Sequence, residues 1–176
     1  MRATGTIRVV DGWITEIGNV QPKPGDKVID ASGCVIYPGL ISTHHHLVQS
    51  VLKGIRAGIN SPLFAWLRHG PYAFWHKIDE EALRVATQIG LVELLLSGTT
   101  TAIDHHYLFA EFYRFDPAAV IFETAEKLGL RFVLCRGGAT KARSFDTPDI
   151  LDMPTEPLPK MLASIEACAT RYHDIS

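Results

Sequence analysis

A chain of 176 residues that is 47% hydrophobic and 20% charged has the composition of a globular protein with a sizeable core. Its 17 basic and 19 acidic residues give a net charge of -2 without a cationic stripe, which argues against nucleic acid or an anionic membrane as a partner. No apolar run approaches the roughly 20 residues of a membrane span, and the N-terminus lacks a secretory signal, so the sequence predicts a cytoplasmic protein.

The first 36 residues consist of short strand-like pieces separated by turn signals. Asp11-Gly12, Pro24-Gly25 and Ser32-Gly33 are typical of hairpins and tight turns. We therefore predict part of a small β domain over residues 1–36. The strand-like pieces are Val9-Val10, Ile14 to Ile17, Val28-Ile29 and Val35-Ile36.

From residue 37 onward, strand and helix patterns alternate. The apolar run after Pro38 predicts a first strand, and a long aromatic segment that ends at Lys77 follows it. Alternation of this kind predicts parallel strands joined by helical crossovers. The later predicted elements are a helix from Asp79 to Ser97, the strand "TTTAIDHH", a helix from Asp116 to Leu128, the strand "LRFVLCRGG", which we expect to be buried, and a helix from Pro159 to Tyr172.

Polar residues follow each predicted strand at its carboxyl end. The three clusters are Thr43 to His46, Asp104 to Tyr107 and Cys135 to Gly138. In parallel α/β folds this edge is where active sites assemble, because the loops that leave it converge on one mouth.

Two of the three consecutive histidines are candidate metal ligands. Successive side chains of a strand alternate between faces, so we expect His44 and His46 to point one way and His45 the other. Two imidazoles on one face suit zinc or another first-row ion. The alternative is that they are ordinary polar residues at a strand end, and we favour metal ligation.

The phrase "VIDASGCVIYPGLISTHHH" resembles the amidohydrolase superfamily, in its cytosine and guanine deaminase-like branch. There a T-H-x-H motif lies where a small β-sandwich domain leads into the first strand of a (β/α)8 barrel. The segments "LFAWL", "ELLLSGTTTAIDHHY" and "EKLGLRFVLCRGGAT" extend the resemblance over most of the chain. Within the branch, "CVIYPG", "THHHLVQSVLKG" and "RYHD" are most similar to isoxanthopterin deaminases and then to 8-oxoguanine deaminases.

The resemblance implies roles for individual residues. His44 and His46 match the first two ligands of one divalent metal, Zn2+ or alternatively Fe2+. Gln49 resembles a position that faces the substrate. By their place at strand ends, Tyr107 and Arg136 are further substrate-binding candidates for a carbonyl-rich heterocycle. For these three, a surface or structural hydrogen bond stays open as the alternative.

The implied reaction is hydrolytic deamination, in which the metal activates a water that adds to the ring carbon bearing the amine, and ammonia leaves. The resemblance also implies two further histidines, an aspartate and a proton-shuttling glutamate from later strands. None of these is assigned here, so the catalytic residues are expected beyond Ser176.

A complete barrel of this type needs about 250 residues. We therefore expect residues 37–176 to form the first three β/α units of an incomplete TIM barrel and, as a fragment, to be inactive alone. Its exposed strand edge favours self-association into a homo-oligomer.

Three functions remain open on the sequence. The first is deamination of a pterin or oxidised purine of the isoxanthopterin type. The second is 8-oxoguanine or guanine deamination or another amidohydrolase reaction, since one barrel hosts many chemistries. The third, of another class, is a non-catalytic metal-binding or assembly module.

Overall fold

The computed structural model describes residues 5–141 and 154–173. The chain divides into two compact units, residues 1–37 and residues 38–176, and each is described here by itself. None of the helices in the described ranges combines the length and the hydropathy that a bilayer-spanning segment requires.

The first unit contains one antiparallel hairpin, β1 (Thr6–Val10) and β2 (Trp13–Gly18). Its turn places Asp11 at φ 49° and Gly12 at φ 81°, the left-handed conformations that an Asp-Gly hairpin turn favours. Arg8 forms ion pairs with Glu16 and Asp26, which ties β1 to the loop after β2.

Two of the four predicted strand-like pieces are not strands. Val28-Ile29 and Val35-Ile36 lie in irregular backbone, and Val28 and Val35 are both exposed. β-branched residues favour a strand only where a neighbouring strand offers hydrogen bonds and a packing surface. Within residues 5–37 the hairpin is the only pairing.

The second unit is a parallel sheet of three strands in the order β3-β4-β5, with helices between them. The alternating order predicted from the sequence is therefore found. The elements are β3 (Leu40–His45), 3₁₀ segments Leu47–Leu52 and Arg56–Gly58, α1 (Leu63–His69), α2 (Pro71–Phe74), a 3₁₀ segment Trp75–Lys77, α3 (Glu80–Leu96), β4 (Thr99–His106), α4 (Pro117–Leu128), β5 (Arg131–Arg136) and α5 (Leu158–Tyr172).

The long helices begin and end at the residues that their capping chemistry predicts. The Asp79 side chain accepts a hydrogen bond from the Ala82 backbone at the start of α3, and Asp116 caps α4 in the same way. Gly129 ends α4 at φ 71°, a conformation that costs little only for glycine.

The two faces of the sheet have different environments. Ala102 of β4 packs in the core with Leu91 of α3 and Ile121 of α4, and Phe132 of β5 packs against them. The opposite face is open among the described residues, so Ile41 of β3 is 64% exposed. The expectation that the strand "LRFVLCRGG" is buried is therefore wrong for one of its faces, because the described helices cover only the other.

A bulge at the end of β3 sets the direction of the histidine triplet. Ser42 pairs with Ala102 and His45 pairs with Asp104, so three steps along β3 match two steps along β4. The extra residue lies at Thr43 and His44. A bulge of this kind bends a strand locally and redirects its side chains, and it is common beside functional sites.

Gly90 allows α3 to approach the 3₁₀ segment that follows the histidines. A β-carbon at this position would lie 2.6 Å from Ser50 Oγ and 2.7 Å from Leu47 Cδ2. Both Ser50 and Leu47 are buried, so neither side chain has free space into which to move. The absence of a side chain at residue 90 therefore fixes how closely helix and turn pack.

We expect Gly90→Ala to lower the free energy of unfolding by about 1 to 3 kcal/mol through overpacking. Helix propensity alone predicts the opposite sign, a gain of about 1 kcal/mol. Denaturant unfolding measures the change in free energy of unfolding. Gln88→Ala, at an exposed site on the same helix, is the matched control. A stabilised Gly90→Ala protein would contradict the close packing.

Candidate metal centre

The His44 and His46 rings lie together on the open side of the sheet. Their ring centroids are 5.0 Å apart and the ring planes are nearly perpendicular, at 84°. The His45 ring lies on the other side, because a β-carbon built at Gly90 of α3 would be 3.5 Å from its Cε1 atom. The structure thus separates the triplet into a facing pair and one residue turned toward the helix.

A backbone hydrogen bond orients His46. Its Nδ1 lies 2.8 Å from the carbonyl oxygen of His105, which can only accept, so Nδ1 carries the hydrogen. The lone pair is then on Nε2. Partial burial lowers the pKa of His46, which favours the neutral imidazole that binds metals.

His105 completes a cluster of three imidazoles on this side of the sheet. Its ring lies 4.4 Å from the His44 ring and 6.2 Å from the His46 ring, and its Nε2 lies 3.3 Å from the Thr43 carbonyl. The sequence analysis gave His105 no role. Its place in register beside the bulged end of β3 is what brings it here, and no spacing in the sequence reveals that register.

The donor chemistry of the pair fits two ligands of a zinc or iron(II) site. Over residues 5–141 and 154–173, no group of three or more His, Cys, Asp or Glu side chains is arranged to hold a metal ion. His44 and His46 are therefore at most part of a ligand set within these residues.

Two of the three predicted substrate-binding residues lie beside the pair. The Gln49 amide nitrogen donates to the Tyr107 hydroxyl at 3.2 Å, and the Tyr107 ring is 5.5 Å from the His46 ring. Burial raises the pKa of Tyr107 to about 12, so the phenol keeps its proton. A cavity of about 10 Å³, room for about one water, lies between Gln49, Tyr107 and Trp75.

The third, Arg136, lies on the opposite face. It pairs in register with His106, on the face that the helices cover, whereas Cys135 pairs with His105. Its guanidinium forms a buried bidentate ion pair with Glu156, with one distance of 2.7 Å, and lies 4.0 Å from the Phe109 ring centre. Arg136 therefore has structural partners on the buried face, and its predicted substrate contact stays a prediction.

Asp104 and His106 form a buried polar pair under the histidine turn. Asp104 Oδ1 accepts a hydrogen bond from the Leu47 amide at 2.8 Å, whereas Asp104 Oδ2 lies 3.9 Å from His106 Nδ1. Burial raises the pKa of Asp104 to about 7 and lowers that of His106 to about 4, so both side chains are mainly neutral between these two pH values. The one signal in the sequence is an acidic residue directly after an apolar and β-branched run within the same strand.

Residues 35–169 match the amidohydrolase family. Isoxanthopterin deaminase from an unknown prokaryotic organism is 48% identical over 174 residues, which cover 97% of this chain and 35% of that protein. The 8-oxoguanine deaminase of Pseudomonas aeruginosa is 37% identical over a match that covers 97% of this chain and 38% of that protein. The predicted resemblance is confirmed, and identity falls in the predicted order. This chain spans little more than a third of the length of either relative.

Two solved structures give the same family and fold. The crystal structure of an amidohydrolase from an environmental sample of the Sargasso Sea matches with a TM-score of 0.79 and 45% identity, over 97% of this chain and 36% of that one. A mutant of atrazine chlorohydrolase from Arthrobacter aurescens, complexed with zinc and atraton, matches with a TM-score of 0.67 and 25% identity. The match covers 79% of this chain and 32% of that one. The described part of residues 38–176 is thus a mixed α/β unit whose structural neighbours are amidohydrolases with the TIM-barrel fold.

We expect Arg136→Ala to lower the free energy of unfolding by about 3 to 5 kcal/mol, because it leaves the buried Glu156 carboxylate without its partner. Arg131→Ala is the matched control on the same strand, since Arg131 is exposed, and it should change stability by less than about 0.5 kcal/mol. Denaturant unfolding gives both values. An Arg136→Ala protein of normal stability would contradict the structural importance of the buried ion pair.

The raised pKa of Asp104 gives stability a definite pH dependence. Ionisation of this carboxyl costs free energy in the folded chain and not in the unfolded one, so its contribution is full below about pH 4 and is lost as the pH rises toward about 7.

Asp104→Asn removes that ionisation. Between about pH 4 and about pH 7 we therefore expect the wild-type free energy of unfolding to fall by at least about 1 kcal/mol relative to the variant. Unfolding titrations of both proteins across this range measure the change. Parallel curves would mean that the carboxyl titrates normally.

Proposed function

Because this chain belongs to the amidohydrolase family, we propose that it supplies the first three β/α units of a metal-dependent deaminase. Residues 37–176 belong to its barrel, and residues 1–36 to the small β-sandwich domain that precedes it. The substrate is a fused, oxidised heterocycle of the isoxanthopterin type. The observation that carries the proposal is the pair of imidazoles of His44 and His46, 5.0 Å apart at the carboxyl end of the first barrel strand.

His44 and His46 hold one divalent metal, for which Zn2+ is the first candidate and Fe2+ the second. The zinc bound by the structurally similar atrazine chlorohydrolase supports this assignment. When bound, such a metal activates water for attack at the carbon that bears the exocyclic amine. The orientation of His46 by the His105 carbonyl prepares its Nε2 for ligation before any metal arrives.

Gln49 and Tyr107 recognise the heterocycle beside the metal pair. The amide and the protonated phenol together offer donors and an acceptor, which suits the alternating carbonyl and N-H groups of a pterin or an oxidised purine. Their mutual hydrogen bond at 3.2 Å holds the two side chains in place before substrate binds. Preorganisation of this kind lowers the entropy that binding costs.

The substrate assignment follows the order of similarity, with isoxanthopterin before 8-oxoguanine and guanine. The chain on its own is inactive in this proposal, since its described residues contain no group of three or more His, Cys, Asp or Glu side chains arranged to hold a metal ion. Location in the cytoplasm and self-association belong to the same proposal. A metal-binding or assembly module without catalysis is the alternative of another class.

We expect His44→Ala and His46→Ala each to weaken zinc binding by at least about 100-fold, since each removes a ligand. His45→Ala is the matched control within the triplet, because its ring is turned toward α3, and its affinity should stay within about threefold. Competition with a chromophoric chelator measures the zinc affinity of all three variants. Equal losses of zinc affinity in all three variants would reject the assignment of His44 and His46 as the metal-binding pair.

Turnover is tested on the complete gene product that contains this chain, by ammonia release from isoxanthopterin, 8-oxoguanine and guanine. The proposal expects zinc-dependent release with the highest kcat/KM for isoxanthopterin, and its loss in His46→Ala. Zinc binding without ammonia release from any of the three would favour the non-catalytic module.

A further inference from the structure

Two consecutive residues of β4 hold the turn that carries His46. The Asp104 carboxylate oxygen Oδ1 accepts from the Leu47 amide, and the His105 carbonyl accepts from His46 Nδ1, each at 2.8 Å. Leu47 opens the 3₁₀ segment directly after His46 and is fully buried. The position of the His46 backbone therefore depends on a hydrogen bond made by the side chain of Asp104.

The second oxygen of Asp104 faces another atom without a partner. Asp104 Oδ2 and His106 Nδ1 are both buried without a hydrogen-bond partner among the described residues, 3.9 Å from each other. His106 Nε2 lies 3.2 Å from the Leu108 carbonyl, so it carries the ring hydrogen and Nδ1 carries a lone pair. An ionised Asp104 would place two buried acceptors face to face, which is unfavourable.

A proton on Asp104 Oδ2 removes that conflict. The carboxyl group then accepts from Leu47 with one oxygen and presents a hydrogen toward His106 Nδ1 with the other, directly after a small approach or through one water. All of the polar atoms of the pair are satisfied in this arrangement. No cationic side chain is needed to compensate a buried negative charge.

We propose that Asp104 is a positioning residue for the metal pair and that it acts as a neutral carboxylic acid between the Leu47 amide and the His106 imidazole. The inference rests on the proposed function for its link to the metal, whereas the hydrogen bonds stand independently of it. It predicts that asparagine is a faithful replacement, because its amide offers the same acceptor to Leu47 and an N-H in place of the O-H.

The experiment compares Asp104→Asn with Asp104→Leu in the complete protein. Leucine is close in volume but offers neither an acceptor nor a donor. Thr124→Val is the matched control, since Thr124 is also buried and its hydroxyl donates to the Val120 carbonyl in α4, away from the histidines. Two quantities are measured: hydrogen exchange of the Leu47 amide in the metal-free protein, and zinc affinity by chelator competition.

For Asp104→Asn we expect Leu47 exchange and zinc affinity within about threefold of the wild type. For Asp104→Leu we expect faster exchange at Leu47 and zinc binding weaker by about 10 to 100-fold, the usual effect of losing an outer partner of a metal ligand. Thr124→Val should lower stability and leave zinc affinity unchanged.

Loss of zinc affinity in Asp104→Asn, to the level of Asp104→Leu, would overturn the neutral-acid role. Normal Leu47 exchange and normal zinc affinity in Asp104→Leu would overturn the positioning role. Should Asp104→Leu fail to fold, the asparagine variant alone decides, because the proposal requires it to behave as the wild type. A wild-type protein that binds no zinc would reject the proposed function, while exchange at Leu47 would still test the role of Asp104.

Discussion

The candidate site depends on the pairing of the end of β3 with the end of β4. A bulge at Thr43 and His44 shifts the register by one residue, and the chain then turns sharply into the 3₁₀ segment at Leu47. The turn leaves backbone and imidazole donors that need partners, and Asp104 and His105 of β4 provide them. Close packing of α3 at Gly90 keeps the same turn from moving away from the sheet. The direction of the imidazole pair is thus a consequence of how two neighbouring strands end.

The regular elements were predictable because local chemistry determines them. The aspartates at positions 79 and 116 cap helices, and the glycine at position 129 takes a left-handed conformation, wherever the chain places such residues at a helix end. The parallel order followed from the alternation of strand and helix patterns. The strand-like pieces at Val28 and Val35 failed because strand formation requires a partner strand, which local sequence does not specify.

The site was only partly predictable, because it depends on register. The two-residue spacing predicted that His44 and His46 lie on one side, and their rings do lie 5.0 Å apart, although a bulge that the sequence does not reveal interrupts the strand there. For Arg136, the neighbouring "FVLC" is apolar at every position, so the sequence does not indicate which residues face the helices. The register with β4 settles it and puts Arg136 on the buried face, with Cys135 on the open one. The contributions of Asp104 and His105 follow from the same register, which the sequence does not reveal.

The open face and the buried face of the sheet contribute differently to the candidate site. The open face presents the imidazole pair, beside which the partly buried Gln49 and Tyr107 lie, and the buried face holds the turn through core packing and the Asp104 hydrogen bond. X-ray diffraction from crystals of the complete protein grown with zinc, recorded on both sides of the zinc absorption edge, tests the central claim most directly. The account predicts one anomalous peak about 2.0 to 2.1 Å from an imidazole nitrogen of both His44 and His46. Zinc bound elsewhere, with neither imidazole among its ligands, would contradict it.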